Sequence, residues 1–392
     1  MIGLPSLEER AAAAGAMDIA VVAVDVRSIG GMDRQLRMLI TGLLERGHRV
    51  TLISRTSAVE DHANLVWKRV PGPSRPFPIG YVLFVILASA RLWRLRSAVV
   101  HTTGAVAWRR GQITTIHLLH AGYAAKSNMI RASRNSFAYR LSARISRLLS
   151  LAAERLIMRP RQVAAVVTVS RGVAAEMQEH YPWSSDRLHV IPNGVDTEAF
   201  SPSVTVRAAV RQQIGALETE LVCLFVGNEW KAKGLELAIA AVGRVDHCKL
   251  VVVGTGDVRH YETLAAAAGA GDRVFFVGSS DDVASWYRAA DTFILPSTYE
   301  TFSLVTYEAA ASGLPLLVTR VSGVEDILQE GVNGWEISTA ESIAVRLQSL
   351  LSEPALRGQM GVRSRAAVMQ YGWSRMVESY IDLYRRVAGS AL

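Results

Sequence analysis

Two carboxylates, Glu300 and Glu308, bracket a strand-to-helix junction in the stretch PSTYETFSLVTYEAAASGLP, Pro296 to Pro315. The apolar run Thr292 to Leu295 predicts a strand that stops at the Pro296-Ser297 turn. A short helix is predicted from about Ser303, closed by Gly313 with Pro315 two places later. The free N–H groups and partial positive charge of such a helix start suit a phosphate, with the amides of Phe302, Ser303 and Leu304 as candidate donors. A carboxylate one or two turns away suits sugar hydroxyls. Phosphate plus hydroxyls describes a nucleotide sugar. Taken alone, the same acids also fit a surface helix whose N-terminus they favour.

A second cluster, Gly227-Asn228-Glu229-Trp230-Lys231-Ala232-Lys233-Gly234, follows the predicted strand Leu221 to Gly227. Glycines let a loop approach a ligand closely, and Lys231 and Lys233 offer point charges to phosphate oxygens. Gly254-Thr255-Gly256-Asp257 follows the next strand, and Gly30-Gly31 follows the first strand of the chain. Neither carries the full dinucleotide fingerprint, so a nicotinamide cofactor is not expected. Thr114-Thr115-Ile116-His117 ends a strand inside a basic region, where a neutral imidazole can hydrogen-bond a hydroxyl. His120, one turn on, reads equally well as a packed or surface histidine.

The paired glutamates, with Pro-Ser before them and Gly-Leu-Pro after, resemble the signature of retaining glycosyltransferases of the GT-B fold, in the large group-four family. His189 to Asp196, with Phe200 and Pro202, resembles that family's interdomain segment, and the last predicted helix, Trp373 to Val387, resembles its tail that crosses back to brace the first domain. The resemblance implies an α/β fold of two facing doubly wound Rossmann-like domains with an interdomain cleft. It implies that Lys233 binds the donor pyrophosphate, that Gly30, Gly31 and Gly254 line the phosphate loops, and that His117 lies near the transferred sugar. It assigns Glu300 to the donor sugar and Glu308 to the ribose. The family commonly has Arg directly after the first glycine of the lysine loop. This chain has Asn228, which carries no charge, so either Lys231 compensates or the leaving group is held less strongly. The implied activity is metal-independent transfer of a sugar from a UDP- or GDP-linked donor to an acceptor hydroxyl, with no cofactor. The expected acceptor is a cell-envelope glycan or lipid-linked saccharide. The alternatives are an epimerase, a phosphorylase or a small-molecule glycosyltransferase of the same fold, or a non-catalytic basic module that binds membrane.

Composition bounds these readings. A chain of 392 residues, half of them apolar, is long enough for two domains with full cores. Cys223 and Cys248 are too few for a disulfide scaffold or a cysteine metal site, and a reducing, cytoplasmic home fits them. No DxD-like pair follows a strand, and Asp281-Asp282 reads as a helix cap, so no metal site is expected. The net charge of +8 is uneven: from His62 to Ala153 there is no Asp or Glu but fourteen Lys or Arg, which leaves −6 for the rest. Such a field concentrates anionic partners (an anionic membrane surface, a phosphorylated or acidic acceptor, or nucleic acid), and an ordinary solvated basic surface is the competing reading. Arg131, Arg134, Arg140, Arg144 and Arg147 alternate with Ile130, Phe137, Leu141, Ile145, Leu148 and Leu149 at helical spacing, as in an interfacial helix. Peripheral attachment to the inner face of an anionic membrane is therefore expected, and nucleic acid, for which no motif exists, is not.

Strands and helical patterns alternate along the whole chain, which predicts parallel sheets with crossover helices. The expected organisation is a loose extension over 1–16, without the basic n-region of a signal peptide, then an acceptor-side domain over 17–197. A donor domain over 205–370 and a returning helix over 371–392 complete it. The most apolar run, Ile79 to Ala90, is too short to span a bilayer and predicts a buried helix.

Overall fold

The computed structural model describes residues 15–28, 30–97, 99–126 and 137–389. Two compact units form, one from Met1–Asn193 with Trp373–Leu392 and the other from Gly194–Gly372. Most of the loose extension, residues 1–14, lies outside the described residues, as do Ile130, Arg131 and Arg134.

In the first unit the order is β1 (Asp18–Val22), α1 (Gly31–Glu45), β2 (Arg49–Ser54), β3 (Leu65–Arg69), α2 (Phe77–Trp93), β4 (Val99–Thr103) and β5 (Gln112–Ile116). It continues with α3 (His120–Lys126), α4 (Phe137–Ile157), β6 (Val163–Thr168), α5 (Arg171–His180) and β7 (Leu188–Val190). The strands form a parallel sheet in the order β3-β2-β1-β4-β5-β6-β7. β1 shows how the layers follow from the sequence. Alternate side chains leave opposite faces of a strand. Ile19 and Val21 therefore join Leu36, Leu39 and Ile40 of α1, while Ala20 and Val22 join a second cluster with Phe84, Ala88 and Leu92 of α2.

The second unit runs α6 (Val204–Gln213), β8 (Leu221–Val226), α7 (Leu235–Val242), β9 (Cys248–Val253), α8 (Val258–Ala267), β10 (Val274–Gly278), α9 (Val283–Ala289) and β11 (Thr292–Leu295). Then follow α10 (Leu304–Ala311), β12 (Leu316–Val318), β13 (Gly334–Glu336), α11 (Ala340–Ser352) and α12 (Pro354–Val368). Its parallel order is β10-β9-β8-β11-β12-β13. Both sheets reverse direction of winding beside their first strand, between β1 and β4 and between β8 and β11. In an open α/β sheet the crevice at that point, beyond the carboxyl ends of the strands, is where ligands bind.

The last helix, α13 (Trp373–Gly389), belongs to the first unit. Its stripe Trp373, Met376, Val377, Tyr380, Ile381 and Tyr384 is buried in the same core as α1. The contact is close enough that a Cβ on Gly42 of α1 would stand 2.6 Å from Val377 Cγ2. A buried polar chain also ties α13 to the sheet. His101 of β4 bonds Tyr384 OH through Nδ1 and Thr115 Oγ1 through Nε2, both at 2.7 Å, and Tyr380 OH lies 3.0 Å from Thr115 Oγ1. Burial pushes the His101 pKa down to about 3, so the ring bridges these groups as a neutral imidazole.

The apolar run Ile79 to Ala90 is helical but not buried, which corrects the expectation from the sequence. Gly80, Phe84, Ala88 and Leu92 of α2 are buried and Tyr81 and Leu87 pack against the same core, while Phe77, Ile79, Val82, Leu83, Ile86 and Trp93 are exposed. Hydropathy alone cannot distinguish a helix packed on both sides from one packed on a single side.

Candidate active site

In the second unit, all four residues of β11 are buried, and the strand delivers the chain to Pro296 at the switch point. Ser297 Oγ donates to Glu300 Oε1 at 2.9 Å, which fixes the carboxylate just beyond the strand end. Lys233 Nζ reaches the same oxygen at 2.6 Å. The lysine arrives there from the loop after β8, the other strand of the switch point. Its path requires a glycine: a Cβ on Gly227 would stand 2.4 Å from Lys233 Cδ. Gly234, at φ 74°, has no room either, since a Cβ would meet Pro296 O at 2.3 Å. The two loops are thus nested backbone against backbone, and a cation and an acid from distant parts of the sequence meet at their rim.

α10 begins beside this pair. Ser303 sits at φ 36° and ψ 59°, a left-handed conformation that a residue with a Cβ adopts only when its surroundings impose it. Its hydroxyl bonds Thr306 Oγ1 at 2.6 Å and provides no side-chain cap to the helix. The junction is held from below. Phe302 is buried and stacks on Tyr307 with centroids 4.4 Å apart, and Tyr307 OH donates to Gly323 O at 2.8 Å. Phe302 thus anchors the turn through its ring, leaving its backbone, with Ser303 and Leu304, to form the helix start. Glu308 lies in the second turn, buried, and accepts from Tyr287 OH at 3.2 Å.

Asn228 has a different task from the one its position suggests. Its Oδ1 accepts from Thr255 N at 2.8 Å and Thr255 Oγ1 at 3.0 Å, so it staples the Gly254 loop to the Gly227 loop. Lys231 is exposed on the same loop. Trp230, between them, is buried and donates from Nε1 to Gly227 O at 2.9 Å. The sequence assigns no role of their own to Ser297, Tyr287 and Trp230. The Pro-Ser turn was a signal for the first and an aromatic inside a glycine-lysine loop for the third; Tyr287 had none.

The other candidates lie in the first unit. Gly30, at φ 122°, and Gly31 form the turn from β1 into α1, closed by Asp33, whose Oδ1 accepts from Arg27 N at 3.0 Å. His117 follows β5. Its Nε2 is buried without a hydrogen-bond partner among the described residues, and burial pushes its pKa down to about 4. It lines a cavity of about 630 Å³ together with Asp25, Arg55, Arg75, His120 and Glu154. Arg55 is fixed there by an ion pair to Asp25. Glu154 is the first acid after the acid-free span, and it caps α3, accepting from His120 N at 2.7 Å and Ala121 N at 3.2 Å. Burial raises its pKa and lowers that of His120. Such a cavity, with an unsatisfied neutral imidazole beside fixed charges, suits a hydroxylated ligand.

Among the described residues, no three His, Cys, Asp or Glu are grouped to hold a metal ion. Asp282 Oδ1 accepts from Ser285 N at 3.2 Å as the cap of α9. No helix among the described residues is long and apolar enough to cross a membrane.

Two doubly wound parallel-sheet units, each with its candidate groups at the switch point, define the GT-B class. Residues 29–199 match the family described as Glycosyltransferase Family 4, and residues 206–367 match Glycosyl transferases group 1. D-inositol 3-phosphate glycosyltransferase of Xylanimonas cellulosilytica is 32% identical over 234 residues, 56% of this chain and 56% of that protein. The chain thus matches about half the length of this relative. Among solved structures, WaaG, a glycosyltransferase involved in lipopolysaccharide biosynthesis, superimposes with a TM-score of 0.76 at 22% identity, covering 93% of this chain and 99% of that one. Anabaena HepE, in complex with UDP-glucose, gives a TM-score of 0.69 at 15% identity over 94% of this chain and all of that one. The chain belongs to the group-four glycosyltransferases.

Proposed function

We propose that this protein transfers a glycosyl group from a nucleoside diphosphate sugar to an acceptor hydroxyl, with retention of configuration. The observation that carries the reading is the meeting of Lys233, Glu300 and the start of α10 at the switch point of the second sheet. A departing diphosphate gains negative charge in the transition state while the sugar ring gains positive charge. Lys233 and the amides of Phe302, Ser303 and Leu304 stabilise the first, and the Glu300 carboxylate holds sugar hydroxyls and eases the second. Glu308 takes the ribose hydroxyls. Gly30, Gly31 and Gly254 line the phosphate loops. Lys231 adds solvent-exposed charge that Asn228, stapled to Thr255, does not supply. His117 offers a neutral imidazole to a hydroxyl.

The glycosidic bond to phosphate breaks as the acceptor oxygen bonds the same carbon on the same face, and the acceptor proton passes to the leaving phosphate oxygen. This assignment asks for neither metal nor cofactor. The UDP-glucose bound by HepE supports the donor class, and the acceptor named for the inositol phosphate relative, like the role printed for WaaG, supports a saccharide or polyol acceptor. Work at the cytoplasmic face of a membrane on a lipid-linked saccharide follows the same lines.

The test is transfer from UDP- and GDP-sugars into a cell-envelope extract, with the anomer of the product determined. Lys233→Ala and Glu300→Gln are each expected to lower turnover by about 10²–10³-fold. Full transfer by both variants, or inversion of the product, would overturn the assignment.

A further inference from the structure

The solvent side of α2 is a continuous apolar stripe. Ile79, Val82, Leu83, Ile86, Ala90 and Trp93 recur at intervals of three and four, the spacing of one helix face. Ile79 is 61% exposed, Ile86 59% and Trp93 76%. Ser89, at the edge of the row, returns its hydroxyl to Val85 O at 2.6 Å. On the opposite side, Gly80, Phe84, Ala88 and Leu92 fill the core. From Ile79 to Trp93 the stripe runs about 20 Å along the helix. An apolar band of that length on a soluble domain marks an interaction surface.

The charges around it say which kind. Arg91 closes the helix, and Arg94 and Arg96 follow it, the latter two exposed. A loop docked on the same helix adds Trp108, Arg109 and Arg110. Trp108 N donates to Ser89 Oγ at 2.9 Å, and Arg109 Nη1 to Leu95 O at 3.2 Å. No carboxylate occurs anywhere from His62 to Ala153. A protein partner would ordinarily be met by charges of both signs. A row of aliphatic side chains flanked by Trp and Arg, with no acid, fits an interface where acyl chains meet anionic headgroups.

We propose that the exposed face of α2 lies in the headgroup region of an anionic lipid bilayer, its aliphatic row among the acyl chains and Arg94, Arg96 and Arg110 among the phosphates. This extends the membrane element of the proposed function and is independent of the donor assignment. It adds α2 to the contact expected of the 130–149 segment. In that segment the side chains up to 144 lie outside the described residues, and Ile145, Arg147 and Leu148 are exposed.

The experiment is sedimentation of the full chain with vesicles of phosphatidylglycerol and phosphatidylcholine, or of phosphatidylcholine alone, at low and high salt. UDP affinity is measured in parallel by calorimetry. The wild type is expected to pellet with the anionic vesicles at low salt. Ile79→Ser/Ile86→Ser/Trp93→Ser should weaken that binding by about tenfold or more, with Tm and UDP affinity unchanged. Arg94→Glu/Arg96→Glu should weaken it and also lessen its dependence on salt. Equal pelleting of the triple variant and the wild type would overturn the proposal. So would no pelleting of the wild type, or a wild-type dimer that the triple variant dissociates, which would assign the face to a second copy. Because UDP binding is read separately, its loss in every variant and the wild type would count against the donor reading and not against this one.

Discussion

The turn from β11 into α10 and the solvent face of α2 are opposites. In the first, each feature has a counterpart that fixes it. Glu300 is held by Ser297 and Lys233, Glu308 by Tyr287, and Phe302 by Tyr307. In the second, six apolar side chains face solvent. A polar group in a half-buried site must find partners at defined distances, so its neighbours are constrained and its position can be read from residue types and spacing. An apolar side chain has no such requirement. The same letters serve a core, a bilayer or a partner.

That contrast is sharpest between the two faces of one helix. Phe84→Ala removes a ring from the core of the first unit and is expected to cost about 3–5 kcal/mol. Ile86→Ser, two residues on, should change stability by no more than about 0.5 kcal/mol. Denaturant unfolding measures both, and a large loss at Ile86 would mean that the stripe is structural after all.

A smaller effect distinguishes the two histidines of the first sheet from exposed ones. His117 and His101 have pKa values pushed down to about 4 and about 3, below the ordinary 6.5. Between those values and 6.5 the unfolded chain binds protons that the folded chain refuses. Their stabilisation is therefore complete above pH 6.5 and is lost as pH falls toward 4. Glu154, with a raised pKa, opposes this, because its folded carboxyl takes up a proton more readily. The difference between wild type and His117→Gln isolates the histidine: the wild type should lose roughly 5 °C more in Tm between pH 7 and pH 4.5. Parallel pH profiles would show that His117 is not buried as described.

The smallest effect tests the loop staple. Asn228→Ala frees Thr255 and should weaken UDP binding by about fivefold, or about 1 kcal/mol, without changing Tm by more than a degree or two. An improvement on Asn228→Arg, with its added charge, would show that this site accepts the residue the family more commonly carries.

Much of the fold was legible because βαβ units announce themselves. β-branched runs such as Val163–Thr168 alternate with amphipathic helices, and the glycines after β1, β8 and β9 mark the ligand ends of the strands. Two of the four edge strands were not. β3 is half-exposed and β13 has three residues, so neither produces an apolar run. The strands of the second site, its glycines and its acids were all visible. Ser297 and Tyr287 were not singled out, because a hydroxyl that orients a carboxylate is set by tertiary placement alone. Glu154 was hidden in the same way: a cap on α3 supplied from the distant α4 leaves no local pattern. The reading of α2 failed because hydropathy records what a segment can bury, not whether anything in the chain buries it.

The central claim is that an activated sugar is held by its diphosphate at the start of α10. The direct measurement is a crystal structure of the full chain with a UDP- or GDP-sugar. The account predicts the diphosphate at the amides of Ser303 and Leu304 with Lys233 Nζ on a phosphate oxygen, the sugar against Glu300 and the ribose against Glu308. A nucleotide lodged away from the β11–α10 turn would contradict it.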